Sequence, residues 1–308
     1  MNMLKHVIVC VMLAGGVFVV FGVMGCEQMC ATRIVESVTV GGKMVLAMQG
    51  SPESLIEQGR IDAHRRVAVA DGAEIDVWVI KARPNDGSSY RDATVVVIHP
   101  LMMSKGWFFS LGEQLAANGW DVVLPDLRAH GASGGKYVTW GAKDKRDIKT
   151  VVDKLLAEEI IEPKLYAMGA SLGGCVAIQY AAFDTRCQGV LALAPPTGVN
   201  GVARRMYPLA TQDWLDRTVV CAGELAGFDA TDASAIDAAG KLKCPLILAH
   251  GRLDIIVPHN HSEQIYQAAS GPKKLISLPL TNHVTVQVGQ SGWIVRQMSD
   301  LAQMTPES

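Results

Sequence analysis

A serine stands at the centre of a G-x-S-x-G motif at residues 169–173, between an apolar run that ends at Met168 and a second apolar stretch that begins at Leu172. A strand followed at once by a helix forms a tight turn, which exposes the serine hydroxyl above the edge of a sheet. A hydroxyl is a weak nucleophile unless a base removes its proton and donors stabilise the resulting oxyanion. The motif therefore predicts Ser171 as a nucleophile.

A second match to the same motif lies at residues 131–135 and is centred on Ser133. This match stands in a glycine-rich loop well past its predicted strand, and no helix follows it at once. A serine in such a loop is typical of a turn. We therefore interpret Ser133 as a turn residue and keep Ser171 as the nucleophile.

An acid and a base follow the serine in the chain. Asp254 comes shortly after the apolar run 245–250, and His283 comes just after the last predicted strand. Both positions lie at the carboxyl end of the predicted sheet, where Ser171 also lies, and the order Ser, Asp, His is one of the orders known for such triads. His259 and His261 are rivals for the base, but they follow Asp254 too closely to reach over the sheet edge.

Two backbone amides are predicted to stabilise the oxyanion. The amide of Leu172 lies at the start of the helix that follows Ser171, where N–H groups point outward. The second donor is expected from the loop after the first parallel strand. Because Pro100 has no N–H, the amide of Leu101 is the candidate there.

Strand and helix patterns alternate through most of the chain. Residues 65–70 and 75–82 flank Asp71-Gly72 and predict an antiparallel hairpin. Nearly continuous β-branched runs predict buried parallel strands at 94–99, 121–125, 164–168, 189–193, 245–250 and 274–278, with helices at 107–118, 143–160, 172–183, 261–269 and 292–303. The alternation predicts an α/β fold with a mostly parallel wound sheet and helices on both faces.

The chain is predicted to divide into three parts. Residues 1–25 form a targeting segment, 26–62 an N-terminal arm on the surface with a short helix at 52–60, and 63–308 the α/β domain. One connection, between the fourth and fifth parallel strands, is much longer than its neighbours. We interpret residues 196–243 as a lid inserted in the same domain, because about 50 residues are too few for a second core of ordinary size.

The chain resembles the serine hydrolases of the α/β-hydrolase superfamily over roughly residues 63–305. The residues that carry this resemblance are Val96-Val97-Ile98-His99-Pro100, Asp126-Leu127-Arg128-Ala129-His130-Gly131, the elbow at Ser171, the segment 250–254 and His283. Two positions depart from the family pattern. Pro100 stands where the family usually has Gly after His, and Leu280-Thr281-Asn282 stands where a Gly often precedes the catalytic His.

The resemblance implies a serine esterase, lipase or serine peptidase that acts without metal or organic cofactor. Its expected reaction is hydrolysis of a carboxylic ester of a small-molecule acyl substrate, through an acyl-enzyme on Ser171. A peptidase or acyltransferase on the same triad, and a catalytically silent binding protein of the cell envelope, remain alternatives. Dehalogenases and epoxide hydrolases of the superfamily use an Asp nucleophile, so Ser171 argues against both.

Several side chains near the two loops are expected to support the site. His99 and His130 are predicted to hydrogen-bond backbone rather than to catalyse. An apolar set close in sequence is predicted to line an acyl pocket, with about half of its members in the core: Met102, Met103, Trp107, Phe108, Tyr137 and Trp140.

An apolar stretch from Val7 to Gly25 follows the basic pair Lys5 and His6. Residues 23–26, Val-Met-Gly-Cys, resemble the lipobox of bacterial lipoproteins, in which the chain is cut before the Cys and that Cys is acylated. The favoured expectation is lipidation at Cys26. An uncleaved membrane anchor and an ordinary cleaved signal are alternatives, and all three place the body in the cell envelope, outside the cytoplasm.

Charge and cysteine content exclude other classes of protein. The 28 Lys and Arg against 30 Asp and Glu give a net charge of −2, which argues against binding to nucleic acid. The five cysteines beyond the targeting segment, residues 30, 175, 187, 221 and 244, lack the spacing of a zinc site. One disulfide is possible in an oxidising compartment, but the sequence does not choose the pair.

Overall fold

A single sheet of eight strands runs through the computed structural model, which describes residues 27–36, 39–84 and 91–304. The strand order is β1-β2-β4-β3-β5-β6-β7-β8. The strands are β1 (Ala63–Ala68), β2 (Glu74–Ile80), β3 (Thr94–Ile98), β4 (Asp121–Pro125), β5 (Leu165–Ala170), β6 (Cys187–Leu193), β7 (Leu246–Gly251) and β8 (Lys273–Leu278).

Strands β1 and β2 form the predicted antiparallel hairpin, and β2 also pairs antiparallel with β4. The remaining neighbours pair in parallel, from β4 through β3, β5, β6 and β7 to β8. All five residues of β3 are buried, because helices cover both faces of the sheet. The predicted α/β fold with a mostly parallel wound sheet is therefore confirmed.

Helices lie on both sides of the sheet and separate two hydrophobic clusters. Val96 and Ile98 face one cluster, whereas Val95 and Val97 face the other. This alternation follows from the two-residue period of a strand. The helices are α1 (Glu27–Val35), α2 (Val40–Ala47), α3 (Pro52–Glu57), α4 (Phe109–Ala117), α5 (Asp144–Ala157), α6 (Leu172–Phe183), α7 (Val199–Met206), α8 (Gln212–Ala226), α9 (Ala235–Ala239), α10 (Asn260–Ala268) and α11 (Ser291–Gln303).

The segment expected as a surface arm is packed more closely than the sequence indicates. Besides the predicted helix near residue 52, it contains α1 and α2. Ile34 and Val35 on α1 are buried, and the indole N–H of Trp140 donates to the Ile34 carbonyl at 2.9 Å. The hydroxyl of Tyr207 donates to the Cys30 carbonyl at 3.2 Å. Helix α1 therefore packs in the core beside α8, because its short apolar face contacts residues far along the chain.

The long connection between β6 and β7 contains α7, α8 and α9. Its first turn is tied to α10, because the backbone N–H of Thr197 donates to the His261 ring at 3.2 Å. Its first helix is tied to the loop after β7, where Arg205 donates to the carbonyl of Ile255 at 2.5 Å. The insertion thus lies beside the carboxyl end of the sheet, next to Asp254.

No helix within residues 27–36, 39–84 and 91–304 has the length and apolar character needed to cross a membrane. The predicted targeting segment and Cys26 lie outside the described residues, so those expectations stay predictions.

Candidate functional site

Ser171 occupies a sharp turn between β5 and α6. Its backbone has φ 53° and ψ −121°, a strained conformation for a residue with a side chain. The turn is possible because glycines surround it: a Cβ on Gly169 would collide with the Gly173 carbonyl oxygen, and one on Gly173 would collide with that of Ile98. The Ser171 amide donates to the Leu193 carbonyl at 2.8 Å, which fixes the turn against β6.

The structure brings Ser171, His283 and Asp254 into one hydrogen-bonded chain. His283 Nε2 lies 3.0 Å from Ser171 Oγ, and His283 Nδ1 lies 2.6 Å from Asp254 Oδ2. A carboxylate can only accept, so Nδ1 carries the proton and Nε2 is left to accept from the serine hydroxyl. The three side chains are buried, yet Ser171 and His283 each keep 9% of their surface exposed. This arrangement is able to deprotonate the serine and to orient the histidine that does so.

Asp254 is held as an anion. Burial by itself would raise the pKa of this carboxyl, but hydrogen bonds from His250 and His283 and from the Val257 amide lower it to about 2. The second oxygen, Oδ1, accepts the amides of Ile256 at 2.9 Å and Val257 at 2.8 Å. These bonds leave Oδ2 facing His283.

His250 is a member of the site that the sequence analysis did not assign a role. Its Nε2 donates to the Val257 carbonyl at 2.8 Å and lies 3.3 Å from Asp254 Oδ2, while its Nδ1 accepts the Ser262 hydroxyl at 2.7 Å. The ring is fully buried and braces the loop that carries Asp254. The sequence feature that could have assigned His250 to the site is its position at the end of a strand, four residues before Asp254.

The two proposed oxyanion donors are the backbone amides of Leu101 and Leu172. Neither amide has a hydrogen-bond acceptor in the described part of the chain. Leu172 is the first residue of α6, where helix N–H groups lack partners within the helix. The adjacent amide of Met102 is occupied, since it donates to His130 Nε2 at 3.2 Å. The geometry thus leaves Leu101, and not Met102, available on this loop.

Two histidines fix the backbone around that loop. His99 Nδ1 donates to the Pro100 carbonyl at 2.8 Å, and its Nε2 accepts the Leu127 amide at 2.9 Å. His130 Nδ1 donates to the Arg128 carbonyl at 2.9 Å. Burial is the main influence that lowers the pKa of both rings, so both stay neutral near pH 7. Both histidines hydrogen-bond backbone, as the sequence analysis expected.

The rivals considered for the base and the nucleophile have other partners. His259 contacts Glu263 and Ser277, and His261 contacts Thr197. Ser133 donates to the Asp126 carbonyl at 2.7 Å and accepts the Asp76 amide at 2.8 Å. Its hydroxyl thus joins the Asp126 loop to β2, which is the role of a structural turn residue.

The loop around Asp126 rests on a buried ion-pair cluster. The ammonium of Lys105, 1% exposed as a residue, lies 2.7 Å from Asp76 and 2.5 Å from Asp126. The amides of Lys105 and Ala132 also donate to the Asp126 carboxylate. A buried charge costs free energy unless it is paired and hydrogen-bonded, and here both conditions hold. The cluster joins the loop that carries Leu101 to the loop after β4.

The apolar residues predicted to line an acyl pocket differ in how deeply they are buried. Met103, Phe108 and Trp140 are buried in the core. Met102, Trp107 and Tyr137 are only half-buried. The described residues contain no cluster of His, Cys, Asp and Glu able to hold a metal ion.

Comparison with known proteins shows which families and proteins this chain is similar to. The family described as "Serine aminopeptidase, S33" matches residues 89–224, which include Ser171 but end before Asp254 and His283. YfhR of Escherichia coli K12 is 24% identical over 246 residues, which cover 77% of this chain and 80% of YfhR. YqkD of Bacillus subtilis is 25% identical over 190 residues, which cover 59% of this chain and only 62% of YqkD.

Solved structures show the same architecture. The Pyrococcus furiosus esterase Pf2001 superposes with a TM-score of 0.62 and 24% identity, over 87% of this chain and 96% of the esterase. XC6422 of Xanthomonas campestris, described as a serine hydrolase without a lid, superposes with a TM-score of 0.55 and 19% identity, over 79% of this chain and 96% of that protein. At this level of identity the likeness shows the fold. The chain therefore has the α/β-hydrolase fold that the sequence resemblance implied.

Proposed function

We propose that this protein is a serine hydrolase that cleaves carboxylic esters through an acyl-enzyme on Ser171. The observation that carries the proposal is the unbroken hydrogen-bonded chain from Asp254 through His283 to Ser171, with the serine held at a strained turn. A strained backbone costs free energy, and such residues cluster at active sites, so the strain at Ser171 supports a functional role.

In the proposed acylation step, Ser171 Oγ attacks the ester carbonyl carbon while His283 Nε2 accepts the hydroxyl proton. The imidazolium that forms is stabilised by the Asp254 carboxylate at 2.6 Å from Nδ1. The carbonyl oxygen gains negative charge and receives hydrogen bonds from the amides of Leu101 and Leu172. When the tetrahedral intermediate collapses, His283 returns the proton to the departing alcohol.

Deacylation repeats these roles with water. His283 Nε2 accepts a proton from a water molecule that attacks the acyl carbon, and it then returns the proton to Ser171 Oγ. An amine or a second alcohol in place of water would give a peptide-forming or acyl-transfer reaction. This chemistry needs no metal or organic cofactor, because the charge that develops is stabilised by backbone amides.

A second candidate function is aminopeptidase activity, which the description of the matched family favours. An aminopeptidase substrate presents a protonated α-amino group close to the scissile bond. Here Arg205 donates to the carbonyl of Ile255, the residue directly after Asp254. A cation beside the acid loop disfavours a protonated amine, and we therefore favour the ester.

Two substrates with the same leaving group test this choice. Propionic acid p-nitroanilide and L-alanine p-nitroanilide differ only in the α-amino group, and the proposal expects the propionyl compound to be hydrolysed at least as fast. p-Nitrophenyl butyrate should be turned over readily, and a fluorophosphonate probe should label Ser171. A kcat/KM at least tenfold higher for the alanine compound would overturn the ester proposal in favour of the aminopeptidase. Absence of labelling in folded protein would instead support a catalytically silent binding protein.

We also propose that the protein is attached to a membrane in the cell envelope by lipid on Cys26. The support is the sequence of the N-terminal segment, with its apolar stretch and the Val-Met-Gly-Cys run at 23–26.

A further inference from the structure

Two buried cysteines lie together where the lid leaves and rejoins the sheet. Cys187 is the first residue of β6, and Cys244 precedes β7 by two residues. Strands β6 and β7 are paired in parallel, with Val190 opposite Leu246, and the Val190 amide donates to the Pro245 carbonyl at 2.9 Å. Cys187 and Cys244 therefore lie at the same end of two neighbouring strands.

The side chains of Cys187 and Cys244 also face one another. Both belong to the hydrophobic cluster on the same face of the sheet, where Cys187 is 4% and Cys244 8% exposed. A hydrogen-bonding contact between the two thiols is the largest influence on the pKa of each. It raises the pKa of Cys187 well above its ordinary value and lowers that of Cys244.

Two of the other described cysteines have different surroundings. Cys175 lies on α6, where its thiol contacts the Trp140 carbonyl and the Gln179 side chain. Burial raises the pKa of Cys175 to about 12. The thiol of Cys30 contacts Tyr207 at the start of the lid, on another part of the fold. The structure thus places Cys187 and Cys244 together, a pair that the sequence could not choose.

We infer that Cys187 and Cys244 form a disulfide when the protein is exposed to an oxidising compartment, and that this bond fastens together the two ends of the lid. All of α7, α8 and α9 lies between these two residues. The bond would close a loop that contains the whole insertion, which stabilises the folded chain mainly by restricting the unfolded one. The inference does not depend on the proposed ester hydrolysis.

The bond forms by thiol–disulfide exchange with an external disulfide. The Cys244 thiolate, favoured by its lowered pKa, attacks one sulfur of the external disulfide and releases one thiolate. Cys187 then loses its proton and attacks Cys244 Sγ in the mixed disulfide, which releases the second thiolate. The two cysteine thiols lose two electrons and two protons, and the external disulfide is reduced to two thiols.

Peptide mapping of the purified protein tests the inference. The protein would be incubated with oxidised glutathione, the remaining thiols alkylated with iodoacetamide, and the non-reduced digest analysed by mass spectrometry. We expect one linked peptide pair that contains Cys187 and Cys244. The same pair should appear in the Cys175→Ala and Cys221→Ala variants and disappear in Cys187→Ala and Cys244→Ala.

Thermal unfolding gives a second measurement. We expect the oxidised protein to unfold at a Tm on the order of 5 to 10 °C above the reduced protein, a difference that Cys244→Ala abolishes. If the cysteine variants do not fold, the linked peptide in the parent protein still decides the matter. Alkylation of both Cys187 and Cys244 after native oxidation and after oxidative refolding would overturn the inference, as would a bond joining either residue to a different cysteine.

Discussion

Replacing Asp254 by Asn removes the charge of the acid while keeping its size. In the structure, Oδ1 of Asp254 accepts two backbone amides, and Oδ2 accepts the Nδ1 proton of His283. If the single side-chain oxygen of the Asp254→Asn variant keeps the backbone amides, its NH2 group faces His283 Nδ1. Nδ1 must then be unprotonated, so the proton moves to Nε2, which can no longer accept from Ser171. We expect kcat for p-nitrophenyl butyrate to fall on the order of 10⁴-fold, as this change of tautomer does in a Ser-His-Asp triad.

The same substitution should change the pH dependence of stability. The Asp254 pKa is about 2 in the folded protein against an ordinary value of 3.8, and one pKa unit corresponds to about 1.4 kcal/mol. The ionised carboxylate therefore contributes about 2 kcal/mol to the free energy of unfolding. Because the folded pKa is depressed, this contribution is present above about pH 4 and is lost as the pH falls through about 2.

Urea unfolding between pH 7 and pH 2.5, followed by circular dichroism, measures this contribution. Near neutral pH, the free energy of unfolding of the parent should exceed that of the Asp254→Asn variant by about 2 kcal/mol. This difference should shrink as the solution is acidified. Asp213→Asn is a matched control, because that side chain is 81% exposed on α8 and makes only a surface ion pair with Arg217. It should leave kcat unchanged. A folded Asp254→Asn variant that keeps more than a tenth of the parent kcat would refute the assigned role of Asp254.

Three further tests concern the nucleophile, the oxyanion donor and the membrane attachment. Ser171→Ala should abolish ester turnover and probe labelling, whereas Ser133→Ala should keep most of both and lose only stability; a dead Ser133→Ala variant would contradict this assignment. Leu101→Pro removes the backbone donor and should lower kcat by about 10² to 10³, while Leu101→Ala should keep appreciable kcat; the comparison requires circular dichroism and inhibitor binding to show that the proline variant folds. Cys26→Ser should block processing in a bacterial host, and mass spectrometry that finds Met1 on the mature parent would favour the uncleaved anchor.

The strands and most helices of the α/β domain follow from hydrophobic pattern alone. The predicted helix 172–183 has the same bounds in the structure, and the parallel strands differ from their predicted bounds by two residues or fewer. Central parallel strands are buried on both faces, so their β-branched runs are continuous and easy to recognise. The turn at Asp71-Gly72 marks the hairpin for a local reason, since Gly72 has φ 81°.

Features that depend on distant partners were not visible in the sequence. Helix α1 is short, and its apolar face is narrow enough to be taken for surface. It is buried because Tyr207 and Trp140, more than 100 residues away, contact its carbonyl groups. The pairing of Cys187 with Cys244 is hidden for the same reason, since it depends on the adjacency of β6 and β7. Local pattern specifies elements, whereas tertiary packing decides which of their faces meet.

His99-Pro100, where the chain departs from the family's usual His-Gly, shows how local backbone chemistry and packing combine at the candidate site. Pro100 lacks an N–H, which moves the earliest available donor on this loop to Leu101. The next amide, that of Met102, is taken by His130 Nε2, and this bond requires a neutral ring that is protonated on Nδ1. Burial lowers the pKa of His130, which keeps the ring in that form near neutral pH. A histidine with no direct role in the chemistry thus determines which backbone amide remains free to bind an oxyanion.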